Sequence, residues 1–190
     1  MTARWVVEKV APERDLQVAW EPISLLFKNE VAEGSQAYSR YKRTHDLLRV
    51  MESIRAADGN EGVFRTYWEF GIRIHHDREL KNFSIEEALA EAGVSPDHAA
   101  AYHEAAWDAE IRTRMDVGLA LAGDDVGTPI IAFDDASGAR VGMFGPVISR
   151  VPETDLALQL WDGLQKVMTV PGFLELKRTR TEEPDIGARP

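Results

Sequence analysis

This chain of 190 residues holds no cysteine, so any chemistry must come from histidine, hydroxyl, amide or charged side chains. Disulfides, thiol catalysis and Cys-ligated zinc are excluded within it. The histidines do not fill that place. His75 and His76 are adjacent and diverge, and His98 and His103 stand five apart, off a shared helix face. No His-x-x-x-His pair with a carboxylate occurs, so no metal site is expected. A phosphate loop, a dinucleotide fingerprint and a nucleophile elbow are absent too. A binding element is the better candidate. In "DDVGTPIIAFDDASGARVGMFGP", residues 124–146, Thr128–Pro129 stands directly before a β-like run, and a Gly-Pro pair closes the next. A proline at a strand start loses no ladder bond. From position alone its bond reads as trans, because cis forms make up about 5–6% of X-Pro bonds in folded proteins. Asn29 and Glu30 close "SLLFKNE" as a turn. Tyr38 and Tyr41 read as packing residues of the next helix, Trp5 as core and "KRTR" (177–180) as solvated tail.

The elements that hold these residues follow from periodicity. "TARWVVEKVA" is a helix with Trp5, Val6, Val7 and Val10 on one side, ended by Pro12. "DLQVAWEPISL" alternates, with Leu16, Val18 and Trp20 on one side, and predicts a strand over 16–21 stopped by Pro22. The next ninety residues are helical. Tyr38, Tyr41, Leu47, Leu48, Met51 and Ile54 keep helical spacing, "GNEG" (59–62) breaks it, and "VFRTYWEFGIRIHH" follows as a buried aromatic run. "SIEEALAEAG" is a short helix: Ser84 caps it, Glu87 completes a capping box and Gly93 takes the C′ position. Ser95 and Pro96 start one further helix or two. Past residue 124, Ile130, Ile131 and Phe133 form a strand, "DDASG" turns and "ARVGMFG" returns, making a hairpin. Leu156, Leu160, Leu164 and Val167 share a face of a final helix, and "LKRTRTEEPDIGARP" is a loose tail. With the helical block set aside, the order is αβ…ββα, a thioredoxin motif without its first strand.

Composition restricts the partners. Hydrophobic residues make up 44%, enough for a real core, and the net charge is −10. Such a balance disfavours duplex nucleic acid and anionic membranes as main partners. No apolar run approaches the roughly 20 residues of a membrane span, and "MTARWVVEKV" lacks the pattern of a signal peptide. The expected location is cytoplasmic.

Four segments, "RWVVEKVAPERDLQVAWEPISLLFKNE", "GTPIIAF", "FGPVISRVP" and "FLELKRTRTEEP", taken in order, resemble the DsbA-like proteins of actinobacteria, in particular the mycothiol-dependent nitroreductase type. The resemblance implies an α/β, thioredoxin-like fold with an inserted helical subdomain. The thioredoxin-like domain takes residues 1–30 and 124–190, and the helical insertion 31–123. It implies a Cys-Pro-x-Cys type motif at the end of a first strand, ahead of the residues matched by Met1–Trp5. The chain is therefore expected to begin just after that motif, from a start assigned too late, with a genuinely cysteine-free relative as the alternative. A thiolate at a helix N-terminus draws on free N–H groups and the helix dipole, and methionine supplies none.

The resemblance also implies site residues. Thr128–Pro129 becomes a cis bond whose preceding residue pairs with substrate backbone. Asn29 becomes a polar contact, and Tyr38 and Tyr41 an aromatic lid. "KRTR" pairs with an anionic cofactor or a partner subunit, which leaves room for a homodimer. The implied cofactor is mycothiol, and the partners are a low-molecular-weight thiol and a small-molecule or disulfide acceptor. The expected activity is that of a DsbA-like thiol–disulfide oxidoreductase, or mycothiol-dependent nitroreductase, inactive as given because the Cys motif is absent. The alternative is a non-catalytic thioredoxin-like binding module. A further rival, of the kappa-type glutathione transferase or hydroxychromene-carboxylate isomerase kind, needs a hydroxyl at the helix start. Thr2 lies a few residues too late for it.

Overall fold

The structure, a computed structural model, describes residues 1–189. Helices and one small sheet make the chain α/β. It divides into two compact units: Met1–Val18 with Gly118–Gly187, and Ala19–Val117 with the residues from Ala188 on.

The first unit opens with α1 (Thr2–Trp5), a π turn (Val6–Val10) and α2 (Ala11–Arg14), one helical run in three pieces. Pro12 does not end the helix as the sequence predicts. It sits in the first turn of α2, where a missing N–H costs little. The run ends at Asp15, in the left-handed region at φ 49°. The predicted strand over 16–21 is absent. Leu16 donates its N–H to the Ala11 carbonyl and adds its side chain to the core. Alternation marks a half-buried extended segment, but a strand also needs a ladder partner, and among the described residues this one has none.

The hairpin is as the sequence predicts. After α6 (Asp108–Ala122), whose last residues count with this unit, β1 (Ile130–Asp134) pairs antiparallel with β2 (Arg140–Phe144), in register from Ile130↔Phe144 to Asp134↔Arg140. Asp135 Oδ1 shapes the turn, accepting from the N–H groups of Ser137 (2.8 Å) and Ala139 (3.0 Å). A Cβ on Gly142 would lie 2.7 Å from Leu121 Cβ, so only glycine lets the last turn of α6 lie this close to β2. The final helix, α7 (Thr154–Met168), buries Ala157 and Trp161 and half-buries Leu160 and Leu164. Leu156, expected on that face, is 60% exposed. A 3.6-residue turn makes an i, i+4 leucine series drift, and Leu156 falls at the edge of the stripe. Trp5 and Val10, fully buried, complete this core.

In the second unit, α3 (Leu25–Lys28) is capped by Ser24, whose Oγ accepts from Phe27 N–H. Next, α4 (Tyr38–Gly71) is kinked at Gly59, φ 66° and ψ −158°, within the predicted break. Ser84 caps α5 (Ile85–Glu91), accepting from Glu87 N–H at 3.1 Å, and Gly93 follows at φ 66°. Pro96–His103 and Ala105–Trp107 are 3₁₀ turns rather than α-helix, and α6 starts only at Asp108. The small Ala99 and Ala101 let the first of these turns pack against α4 and α5. Leu47, Val50, Ile54, Phe70, Phe83 and Leu89 form the core here. The aromatic run after the kink is not wholly buried: Tyr67 is 39% exposed and stacks on Trp20 at 4.8 Å.

Candidate functional site

Two proline turns close one end of the hairpin in the first unit. Thr128–Pro129 and Gly145–Pro146 are both cis. Gly145 donates its N–H to the Pro129 carbonyl at 2.8 Å, continuing the ladder one step past Ile130↔Phe144. Gly145 has φ 97°, a left-handed value that suits glycine. Thr2, 8% exposed at the start of α1, donates Oγ1–H to the Pro146 carbonyl at 2.7 Å. The beginning of α1 and both proline turns are thus joined by two hydrogen bonds. Thr2, weighed above as a reactive hydroxyl, is committed to a carbonyl. Thr128 is exposed, and neither its N–H nor its C=O has a partner among the described residues. A free amide beside a strand start can pair with an amide of a ligand.

A second cluster, in the other unit, is one the sequence did not reveal. Ser24 Oγ lies 3.0 Å from His45 Nδ1, and His45 Nε2 lies 3.0 Å from Asp108 Oδ1. Arg49 grips Asp108 in bidentate fashion, Nε to Oδ1 at 2.6 Å and Nη2 to Oδ2 at 2.8 Å. Arg49 also lies 3.0 Å from Asp46, which Lys42 contacts through both carboxylate oxygens. Phe27 packs on the His45 ring at 4.3 Å. A Ser–His–Asp series can activate a serine, but Ser24 is 1% exposed and its Oγ already accepts the Phe27 N–H. No substrate reaches it, and the cluster works as a clamp between the capping turn, α4 and the start of α6. A clue was in the sequence: His45, Arg49 and Glu52 recur at helical spacing and are all buried. Asp108 could not be paired with them from sequence, since it lies 63 residues away.

Burial pushes the His45 imidazole below its ordinary value, against the pull of Asp108. The folded state therefore binds fewer protons than the unfolded state just below the usual histidine pKa of about 6.5. Stability must fall as pH drops through that value, because the unfolded chain takes up the proton first. Urea midpoints measured from pH 7.5 to 5 are expected to decline, and His45→Gln to flatten the decline. An unchanged slope in the variant would remove His45 from the account.

A family model described as "Rv2466c-like: Mycothiol-dependent nitroreductase Rv2466c" matches residues 1–178. The chain belongs to this family. Its named chemistry is that of an oxidoreductase that depends on mycothiol, a low-molecular-weight thiol. The 190 residues of this family member hold no thiol to exchange with its sulfur.

The expected site residues divide between the units. Thr128 and Pro129 lie in the first, and Asn29, Tyr38 and Tyr41 in the second. Asn29 is exposed and ends α3 as its C-cap, donating its N–H to the Leu25 carbonyl. Tyr38 and Tyr41, half-buried, are neighbours on the first turn of α4. The histidines are scattered: His98 Nδ1 lies 2.8 Å from Ser53 Oγ, and His103 packs edge-on against Tyr102. Among the described residues no three His, Asp or Glu side chains meet as metal ligands, and no helix is long and apolar enough to cross a membrane.

Proposed function

We propose that this chain provides the binding frame of a thioredoxin-like, mycothiol-dependent nitroreductase acting in the cytoplasm, with a DsbA-like arrangement in its first unit. Family membership supports the chemistry, and the open amide of Thr128 beside the hairpin supports the place. Mycothiol, when bound, supplies thiols that pass to a disulfide and release two electrons and two protons to a nitro or disulfide acceptor. The chain's own part is to hold and orient. The Thr128 N–H and C=O pair with a ligand amide, while Thr2 and Gly145 keep both proline turns fixed against α1. Asn29, Tyr38 and Tyr41 are proposed as further ligand contacts. The thiolate that exchange requires is not among these 190 residues.

The expected result is binding without turnover. Titrating mycothiol disulfide into the isotope-labelled chain should shift the Thr128 and Gly127 amides saturably. The amides of Asn29, Tyr38 and Tyr41 report on the other three contacts in the same titration. Mycothiol and a nitroaromatic should be consumed no faster than in a protein-free control. No saturable shift at Thr128 would sink the binding reading, and turnover above the control would sink the inactivity. The absence of cysteine favours a second reading, a non-catalytic thioredoxin-like binding module. A thiol count on the protein isolated from its host separates the two: one or two reactive thiols support the reductase, none the module.

A further inference from the structure

A cavity of about 680 Å³ lies wholly within the second unit, between α4, α5 and the 3₁₀ turn Pro96–His103. That volume suits a small molecule. Its lining combines three kinds of group. Ile85, 8% exposed, and Ala99 are apolar, and the short side chain of Ala99 leaves the space open. Arg43 brings a positive charge, and the exposed Glu86 and Asp97 bring two negative ones. Arg43 is fixed before any ligand arrives. Its guanidinium lies over the rings of Phe83 and Tyr102, 5.1 and 5.2 Å from their centroids. Nε donates to the Leu80 carbonyl at 3.0 Å, and Nη2 to the Phe83 carbonyl at 3.1 Å. A guanidinium carries about five N–H donors, of which these bonds use two. The others, on the edge shared by Nη1 and Nη2, have no partner among the described residues. That edge is the planar fork that grips a carboxylate through two parallel bonds.

The two signs of charge select the occupant. A simple anion bonded to Arg43 would also face Glu86 and Asp97, and a simple amine would also face Arg43. A zwitterion satisfies all three. We infer that this cavity binds an apolar α-amino acid, free or as a short apolar peptide. The carboxylate takes the open edge of Arg43, the ammonium turns to Asp97, and the apolar side chain covers Ile85 and Ala99. Asp97 is the freer of the two acids. Its carboxylate makes no hydrogen bond or ion pair among the described residues, whereas Glu86 accepts from Ser84 Oγ at 3.2 Å. Both sources of the ligand share these three features and differ in the distance between the charges.

The test titrates four probes into the isotope-labelled 190-residue chain. They are L-leucine, leucyl-leucine, isocaproate (leucine without its ammonium) and isoamylamine (leucine without its carboxylate). Leucine or the dipeptide should shift the amides of Ala99, Ala100 and Tyr102 saturably, with a midpoint of roughly 1 mM, as befits so small a ligand. The tighter of the two names the source. Isocaproate and isoamylamine should each bind about tenfold more weakly, since each leaves one charge unanswered. Arg43→Gln should abolish the shifts, but Arg43 also holds two backbone carbonyls. Asp97→Asn, an exposed change of almost equal size, therefore carries the test in a protein whose thermal melt matches wild type. It should weaken leucine severalfold and leave isocaproate no weaker. No saturable shift with leucine or leucyl-leucine up to roughly 10 mM, far above the expected midpoint, overturns the proposal. So does isocaproate binding as tightly as both, which would make this a plain anion site, and so does an Asp97→Asn variant that binds leucine as wild type does.

Discussion

Trp5→Ala is expected to destabilise the protein by about 3–5 kcal/mol, the usual cost of emptying a buried tryptophan site. Trp5 is fully buried, and its Nε1–H donates to the Ala157 carbonyl at 3.1 Å. Its ring lies 5.9 Å from that of Trp161. The substitution removes one of the two tryptophans of a small core, together with the bond that ties α1 to α7. Its neighbours Val10 and Ala157 are short, and neither can reach across the space left behind. Trp5→Phe keeps most of the volume and loses the hydrogen bond, so it should cost only about 1–2 kcal/mol. Urea unfolding measures both, as shifts in midpoint at constant slope. A loss below about 1 kcal/mol for Trp5→Ala would show that this core does not carry the unit.

Arg49→Met is the second large effect, again about 3–5 kcal/mol, because it strands carboxylates in a buried network. The side chains of Arg49 and Asp46 are 9% and 5% exposed, and Asp108 is 26% exposed. Lys42 still faces Asp46, but Asp108 keeps only His45. The loss should depend on pH. Burial alone would raise the Asp108 carboxyl, but the Arg49 guanidinium and then His45 bring it below its ordinary value. The stability this gives is therefore full above the usual carboxylate pKa of about 3.9 and disappears as pH falls through the lower, folded value. The gap between wild type and Arg49→Met should be widest near neutral pH and should narrow in acid. A gap that stays constant down to pH 2.5 would mean that the loss is one of packing alone. Replacing Arg49 and Asp108 together by apolar residues should recover much of the stability, since no charge is then left unpaired.

Local signals in the sequence translated well where the structure is local. The hairpin needed only two apolar runs and "DDASG", and the Ser84 cap and the break at Gly59 are likewise matters of a few residues. Failures came where distant residues decide. Leu16 to Trp20 alternate like a strand, yet Trp20 gives its N–H to the Asn60 side chain and its carbonyl to Arg55. Side chains about 40 residues away took the bonds that a strand would have made. For the same reason the clamp around His45 stayed hidden, since its centre is closed by Asp108 on another helix. At the candidate site, position before a strand-like run drew attention to Thr128–Pro129, while its cis bond and binding role, like those of Asn29, Tyr38 and Tyr41, came forward only through a family likeness. The bond from Thr2 to Pro146 spans 144 positions, and no spacing rule could have suggested it.

The division of the chain also sets a schedule. The second unit is built almost entirely from one continuous stretch, whereas the first needs residues 1–18 and 118–187 together. On a ribosome, α1 emerges early and then waits while about a hundred intervening residues are made, roughly 5–20 s at ordinary synthesis rates. Throughout that interval Trp5 and Val10 have no α7 to cover them. The second unit can finish folding before the first has its parts, and the nascent chain offers an uncovered tryptophan to any chaperone at the exit tunnel.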